Sequence, residues 1–130
     1  MELTSAQQSA LETLARSHDW RVVMLFGSMV DGQGRDVDIA VLPASKADLS
    51  TETRWQAELA DLFAPLPVDL VPLREGMSPL LRFEAVCRGR CLFEAEEGLH
   101  DREYWRAFSL HADAAPFRKE LHSYLRRAFP

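Results

Sequence analysis

Two apolar runs, with a glycine-serine turn and paired aspartates between them, constrain this chain more than any other feature. Val22-Val23-Met24-Leu25-Phe26 leads into Gly27-Ser28. After a short glycine-bearing loop comes Asp36-Val37-Asp38-Ile39-Ala40-Val41-Leu42. Five apolar residues in succession, β-branched at the start, predict a strand covered on both faces. Gly27 stops it. Residues 28–35 read as a loop or short helical turn broken by Gly32 and Gly34. A second strand is expected over about 36–42, ending before Pro43.

Alternation across a strand places Asp36 and Asp38 on one face and Val37, Ile39 and Val41 on the other, where they can pack under helices. Neighbouring carboxylates repel, and without a cation one tends to stay protonated. A divalent cation removes the conflict. Mg²⁺ favours carboxylate, phosphate and water oxygens, and two such ions about 3.5–4 Å apart can clamp an in-line phosphoryl displacement. Gly27 lets backbone approach a phosphate closely, and successive N–H groups with the Ser28 hydroxyl suit an anion. Arg35 is placed to reach back to a phosphate. A third short strand, Val68-Asp69-Leu70-Val71, offers another carboxylate. A lone charge between apolar neighbours is costly, which favours a functional Asp69 over an edge aspartate facing water.

The remaining pattern is helical between these strands. Residues 4–17 form a helix capped by Thr4 or Ser5, with Gln7 or Gln8 closing a capping box. A second helix spans 51–63 under a Ser50 cap, with Trp55, Leu59, Leu62 and Phe63 on its buried stripe. Pro65 and Pro67 end it. Ser78-Pro79 opens a third helix running to about residue 88, and residues 90–94 make a fourth strand. From Asp101 onward the pattern is helical, kinked or divided at Pro116, with Phe117, Leu121, Tyr124, Leu125 and Ala128 on one side. The expected class is an α/β (α+β) fold, a small mixed sheet flanked by helices. The 130 residues are expected to form a single domain, with its core over about 20–95 and a C-terminal helical segment over about 99–129.

The net charge of −5 argues against a grip on duplex nucleic acid. Cys87 and Cys91 are too few for a disulfide framework and read as small core residues. No signal peptide or membrane-spanning run is present, so the expected setting is cytoplasmic. Arg82, Arg88 and Arg90 read as a solvated helix face. Trp105, Phe108 and Tyr104 read as core or partner contacts.

Taken together, Leu25-Phe26-Gly27-Ser28, Asp36-Val37-Asp38-Ile39-Ala40-Val41, Val68-Asp69-Leu70-Val71 and the stretch from Pro79-Leu80-Leu81-Arg82-Phe83 to Arg88-Gly89-Arg90-Cys91-Leu92-Phe93 resemble the minimal nucleotidyltransferase (MNT) domain of the polymerase-beta-like superfamily. The resemblance spans roughly residues 20–95. It implies that Gly27 and Ser28 hold a triphosphate, that Asp36 and Asp38 ligate Mg²⁺, and that Asp69 completes the acidic site and takes a proton from the acceptor hydroxyl. It also implies transfer of AMP from ATP, with pyrophosphate leaving. Many such proteins are antitoxins that adenylylate a tyrosine on a partner HEPN-domain RNase toxin. The loop from Ser28 to Asp36 departs from the family pattern. It is short, carries Met29, Val30 and Asp31 where an arginine is usual, and has Arg35 where a serine is usual. Two other readings follow: a non-catalytic module that neutralises its partner by contact, and a small-molecule (aminoglycoside-type) nucleotidyltransferase. Little chain remains for the acceptor pocket of the latter.

Overall fold

The computed structural model describes residues 1–32 and 34–128. One residue of the loop read over 28–35 and the last of the segment read to 129 lie outside them. Helix α1 (Ser5–Ser17) starts under Thr4, whose hydroxyl accepts from Gln7 N–H while the Gln7 side chain accepts from Thr4 N–H. Strand β1 (Trp20–Phe26) follows, then a 3₁₀ turn (Gly27–Asp31), strand β2 (Val37–Pro43), helix α2 (Leu49–Phe63) and strand β3 (Val68–Pro72). Helix α3 (Pro79–Val86), strand β4 (Arg90–Glu94) and helix α4 (Leu99–Ala128) complete the chain.

The sheet order is β3-β2-β1-β4. β1 runs antiparallel to both β2 and β4, and β2 and β3 are parallel. This mixed topology follows from the connections. A short turn joins β1 to β2, whereas a parallel pair needs the long crossover that α2 supplies.

β1 is apolar from Val22 to Phe26 because both its faces are covered there. Val23 and Leu25 join Val37, Ile39 and Val41 of β2 against Leu11 and Ala15 of α1 and Trp55, Leu59 and Phe63 of α2. Val22, Met24 and Phe26 face the other way, with Ala40, toward Ala85 and Val86 of α3 and Leu99 and Ala107 of α4. Full burial of each such aliphatic side chain is worth about 1.5–3 kcal/mol. Cys87 and Cys91 are half-buried free thiols, and burial pushes both upward from the ordinary thiol pKa. No helix among the described residues is long and apolar enough to cross a membrane.

Several boundaries differ from the sequence reading. β2 begins at Val37, not Asp36, because the first link to the β3 side is Val37 N–H donating to Pro67 O at 2.8 Å. α2 starts two residues before its expected range, since Asp48 rather than Ser50 caps it by accepting from Thr51 N–H at 2.8 Å. Pro116 does not divide α4. Arg82 is not on a solvated face: it is 3% exposed, 3.5 Å from Glu103 of α4, and donates to Arg74 O.

β3 is an edge strand, and its outer edge is capped by one side chain. The Gln56 amide of α2 donates to Val68 O and accepts from Leu70 N–H at 2.9 Å. It takes the place of a neighbouring strand and satisfies the groups an edge leaves open. Gln56→Ala is expected to cost about 1–3 kcal/mol, the penalty for stranding part-buried polar groups. The loss should be concentrated in faster amide hydrogen exchange over 68–72. Unchanged exchange there would show that the edge stands without it.

Candidate active site

The carboxylates gather at one end of the sheet. The C-terminal end of β1 meets the N-terminal end of β2, where Phe26 pairs with Asp38. The parallel register sets Asp38 directly beside Asp69. Adjacent strands lie about 4.7–4.9 Å apart, and paired residues project to the same face. Asp38 and Asp69 are therefore neighbours. Their face is the one that α3 and α4 cover further along, as Ala40 and Val71 in the same alternation show.

Asp38 is half-buried, while Asp36 and Asp69 are exposed. Asp36 sits in the bend just before β2, so its place follows from the turn and not from strand alternation. Asp69 is not the buried-strand charge expected from its apolar neighbours. It is an edge-strand residue, and its partnership with Asp38 comes from register. Burial raises the Asp38 carboxyl above its ordinary pKa, and the charges of Asp69 and Asp36 raise it further. The negative charges of Asp69 and Asp36 thus bear on Asp38 from both sides of it in the chain and sheet.

The Gly-Ser turn closes against this cluster. Gly27 has φ +73°, and a Cβ there would lie 2.3 Å from Asp38 Oδ2. The missing side chain is therefore the space that the Asp38 carboxylate occupies. The 3₁₀ turn starts at Gly27, and its first N–H groups have no partner within the turn. Ser28 is exposed beside them. Gly34 packs behind it, and a Cβ at that position would come within 2.1 Å of Ser28 Oγ. Arg35 is exposed next to Asp36.

These groups suit a divalent cation. Asp38 and Asp69 stand on neighbouring strands, the charges of Asp69 and Asp36 bear on Asp38, and a glycine leaves room at its carboxylate. Among the described residues no three of His, Cys, Asp and Glu stand close enough to enclose a metal by themselves.

A cleft of about 440 Å³ lies elsewhere, at the C-terminal ends of β2 and β3 beside Leu42, Trp55 and Leu73. Its arginines are engaged within the protein: Arg74 with Glu52 at 2.8 Å, Arg106 with Glu75 at 2.8 Å, and Arg82 with Glu103. The carboxylate end carries the chemistry that the cleft lacks. Sequence reasoning missed Gln56, which holds the strand bearing Asp69. No local pattern marks a glutamine that binds an edge. Gly34 was visible only as a loop breaker.

The site is thus a pair of carboxylates on two adjacent strands of a small mixed sheet, beside a Gly-Ser turn. The chain belongs to the polymerase beta nucleotidyltransferase family, whose profile matches residues 8–98. No curated protein matches it in sequence. Among solved structures, a toxin–antitoxin complex with AMP-PNP contains a similar chain, at 26% identity and TM-score 0.77 over 92% of this chain and 98% of that one. A mutant MntA–HpeT toxin–antitoxin complex gives 25% identity and TM-score 0.78 over 96% of this chain and 99% of that one. The complex of an MNT antitoxin with the tri-AMPylated Shewanella oneidensis HEPN toxin gives 23% identity and TM-score 0.77 over 95% and 99%. These neighbours are MNT antitoxins, and the polymerase-beta-like fold with its C-terminal helix is shared with them.

Proposed function

We propose that this protein is an antitoxin that transfers AMP from ATP to a tyrosine hydroxyl of a HEPN-domain toxin. The observation that carries this reading is the in-register pair Asp38 and Asp69, with Asp36 alongside, against the Gly27-Ser28 turn. The similar chains in complexes with AMP-PNP and with an AMPylated HEPN toxin support it.

Asp36, Asp38 and Asp69 would hold Mg²⁺, and the metal would supply neutralisation of phosphate charge and polarisation of the phosphoryl oxygens. The backbone N–H groups of the turn and the Ser28 hydroxyl donate to the triphosphate oxygens, and Arg35 adds charge from the bend. Asp69 is exposed and takes the proton from the acceptor hydroxyl. The freed oxygen bonds to the α-phosphorus, the α–β phosphoanhydride bond breaks, and pyrophosphate leaves with that electron pair.

Neutralisation by contact alone is the second reading. It is favoured by the turn itself, where Met29 is buried and the exposed residue that follows Val30 is Asp31, not a cation. Incubating the chain with α-labelled ATP, Mg²⁺ and its HEPN partner separates the two. Label on the partner, lost on Asp36→Asn, is the expected result. A neutralised but unlabelled partner under Mg²⁺ or Mn²⁺ would overturn the transfer reading.

A further inference from the structure

Helix α4 outruns the body that it packs on. Ala107 is its last fully buried residue. Beyond it, Leu110, Ala114, Phe117, Leu121, Tyr124 and Ala128 recur at alternating steps of four and three. That is the heptad spacing of a helix seam. It continues the face that Glu103 and Ala107 turn to the core and then emerges from cover: Ala114 is half-buried, while Phe117 is 68% exposed, Tyr124 60% and Leu121 46%. Pro116, also exposed, lies on the opposite side, where its missing N–H does not interrupt the seam.

From this exposed seam we infer that α4 pairs with the α4 of a second copy of this chain, antiparallel, over residues 110–128. Three observations select this occupant. The first is steric. The body sits on the seam side of the N-terminal half of α4, so a parallel pair would drive each body into the other helix. An antiparallel pair overlapping only beyond residue 110 leaves the two bodies at opposite ends of about 27 Å of paired helix.

The second is size. Antiparallel layers set Leu110 against Ala128 of the second copy, Ala114 against Tyr124, and Phe117 against Leu121. Two of the three layers thus oppose a large residue to a small one, the pattern that fills a seam without voids. Phe117 and Tyr124, about 150–250 Å² each when fully exposed and here 68% and 60% exposed, supply part of the roughly 1,000 Å² that a specific interface needs, and Leu110 and Leu121 of both copies add to it.

The third is charge. On one flank Asp113 falls opposite Arg127 of the second copy, twice by symmetry. Glu120 meets its own copy at the exposed dyad, where a like-charge contact is cheap. Arg118, on the other flank, is turned back to donate to His111 O at 2.9 Å.

The test is the solution mass of the full chain across concentration, by sedimentation equilibrium at low salt. A monomer–dimer equilibrium is expected. Leu121→Asp should weaken it by on the order of a hundredfold without altering the melting of the body, because Leu121 touches none of it. Asp113→Arg and Arg127→Asp should each weaken it several-fold, and the double swap should restore it. A monomer at every concentration would overturn the inference, as would a dimer indifferent to Leu121→Asp or not restored by the double swap. A chain monomeric alone whose 110–128 seam is protected only by the HEPN partner would overturn it too.

Discussion

Asp38→Asn should reduce nucleotidyl transfer by on the order of 10³-fold while making the metal-free protein more stable. The loss follows from the metal-ligand role proposed for Asp38. Charge stabilisation by a bound metal is worth several kcal/mol, at about 1.4 kcal/mol per tenfold in rate. The gain follows from the raised pKa. Burial, Asp69 and Asp36 all disfavour the ionised form in the fold. An acid whose pKa is raised by folding costs stability above its ordinary range, and the cost disappears as pH falls through the raised value. Asparagine has the shape of the neutral acid and removes the cost at every pH. The stability difference between variant and wild type should therefore be largest near neutral pH and shrink on acidification. Mg²⁺ should raise the wild-type Tm more than the variant's. Asp48 has the opposite sign: Thr51 N–H holds its carboxyl below the ordinary value, so its contribution is present at neutral pH and lost in acid. A variant that is less stable, or within tenfold of wild-type transfer, would remove Asp38 from the metal site.

Gly27→Ala should be nearly as damaging, by another route. The backbone at Gly27 has φ +73°, which costs an alanine about 1–2 kcal/mol. The new methyl would also lie 2.3 Å from Asp38 Oδ2. The carboxylate must then swing away, and a displacement of about 1 Å at a reacting centre can cost roughly a hundredfold. Transfer should fall by at least that factor, with weakened Mg²⁺ binding, while the core melts only slightly earlier. Binding of Mg²⁺ unchanged by Gly27→Ala would show that Asp38 has room the geometry denies. Ser28→Ala, which adds no atom near Asp38, separates loss of a hydroxyl donor from loss of space.

The centre of the fold was legible because its signals are local. Unbroken apolar runs with β-branching marked β1 and β2, and Ser78-Pro79 marked the start of α3 by elementary capping chemistry. What failed depended on partners distant in sequence. Asp69 reads as buried from Val68 and Leu70, but sheet order makes it an edge residue, and only register brings it to Asp38. Arg82 reads as solvated until Glu103 of α4 arrives to pair with it. Pro116 reads as a break, yet its ring lies on an exposed face and strong helix formers follow it, so one lost hydrogen bond is tolerated. Heptad spacing along α4 was present in the sequence, but a core stripe and an exposed seam look alike until the body is seen to end near His111, on which Phe83 of α3 stacks.

Strand β3 adds one more consequence. Sheet edges open more readily than sheet centres, and this one is held on its outer side by the amide of Gln56. Two of the three carboxylates stand at the start of the sheet's inner strand, while the third rides on the edge. The complete constellation exists only during the fraction of time that β3 is docked. On the proposed mechanism the attainable rate is then tied to a local opening equilibrium and not to the global stability of the chain, so that transfer would stop when a single strand frays over an intact core.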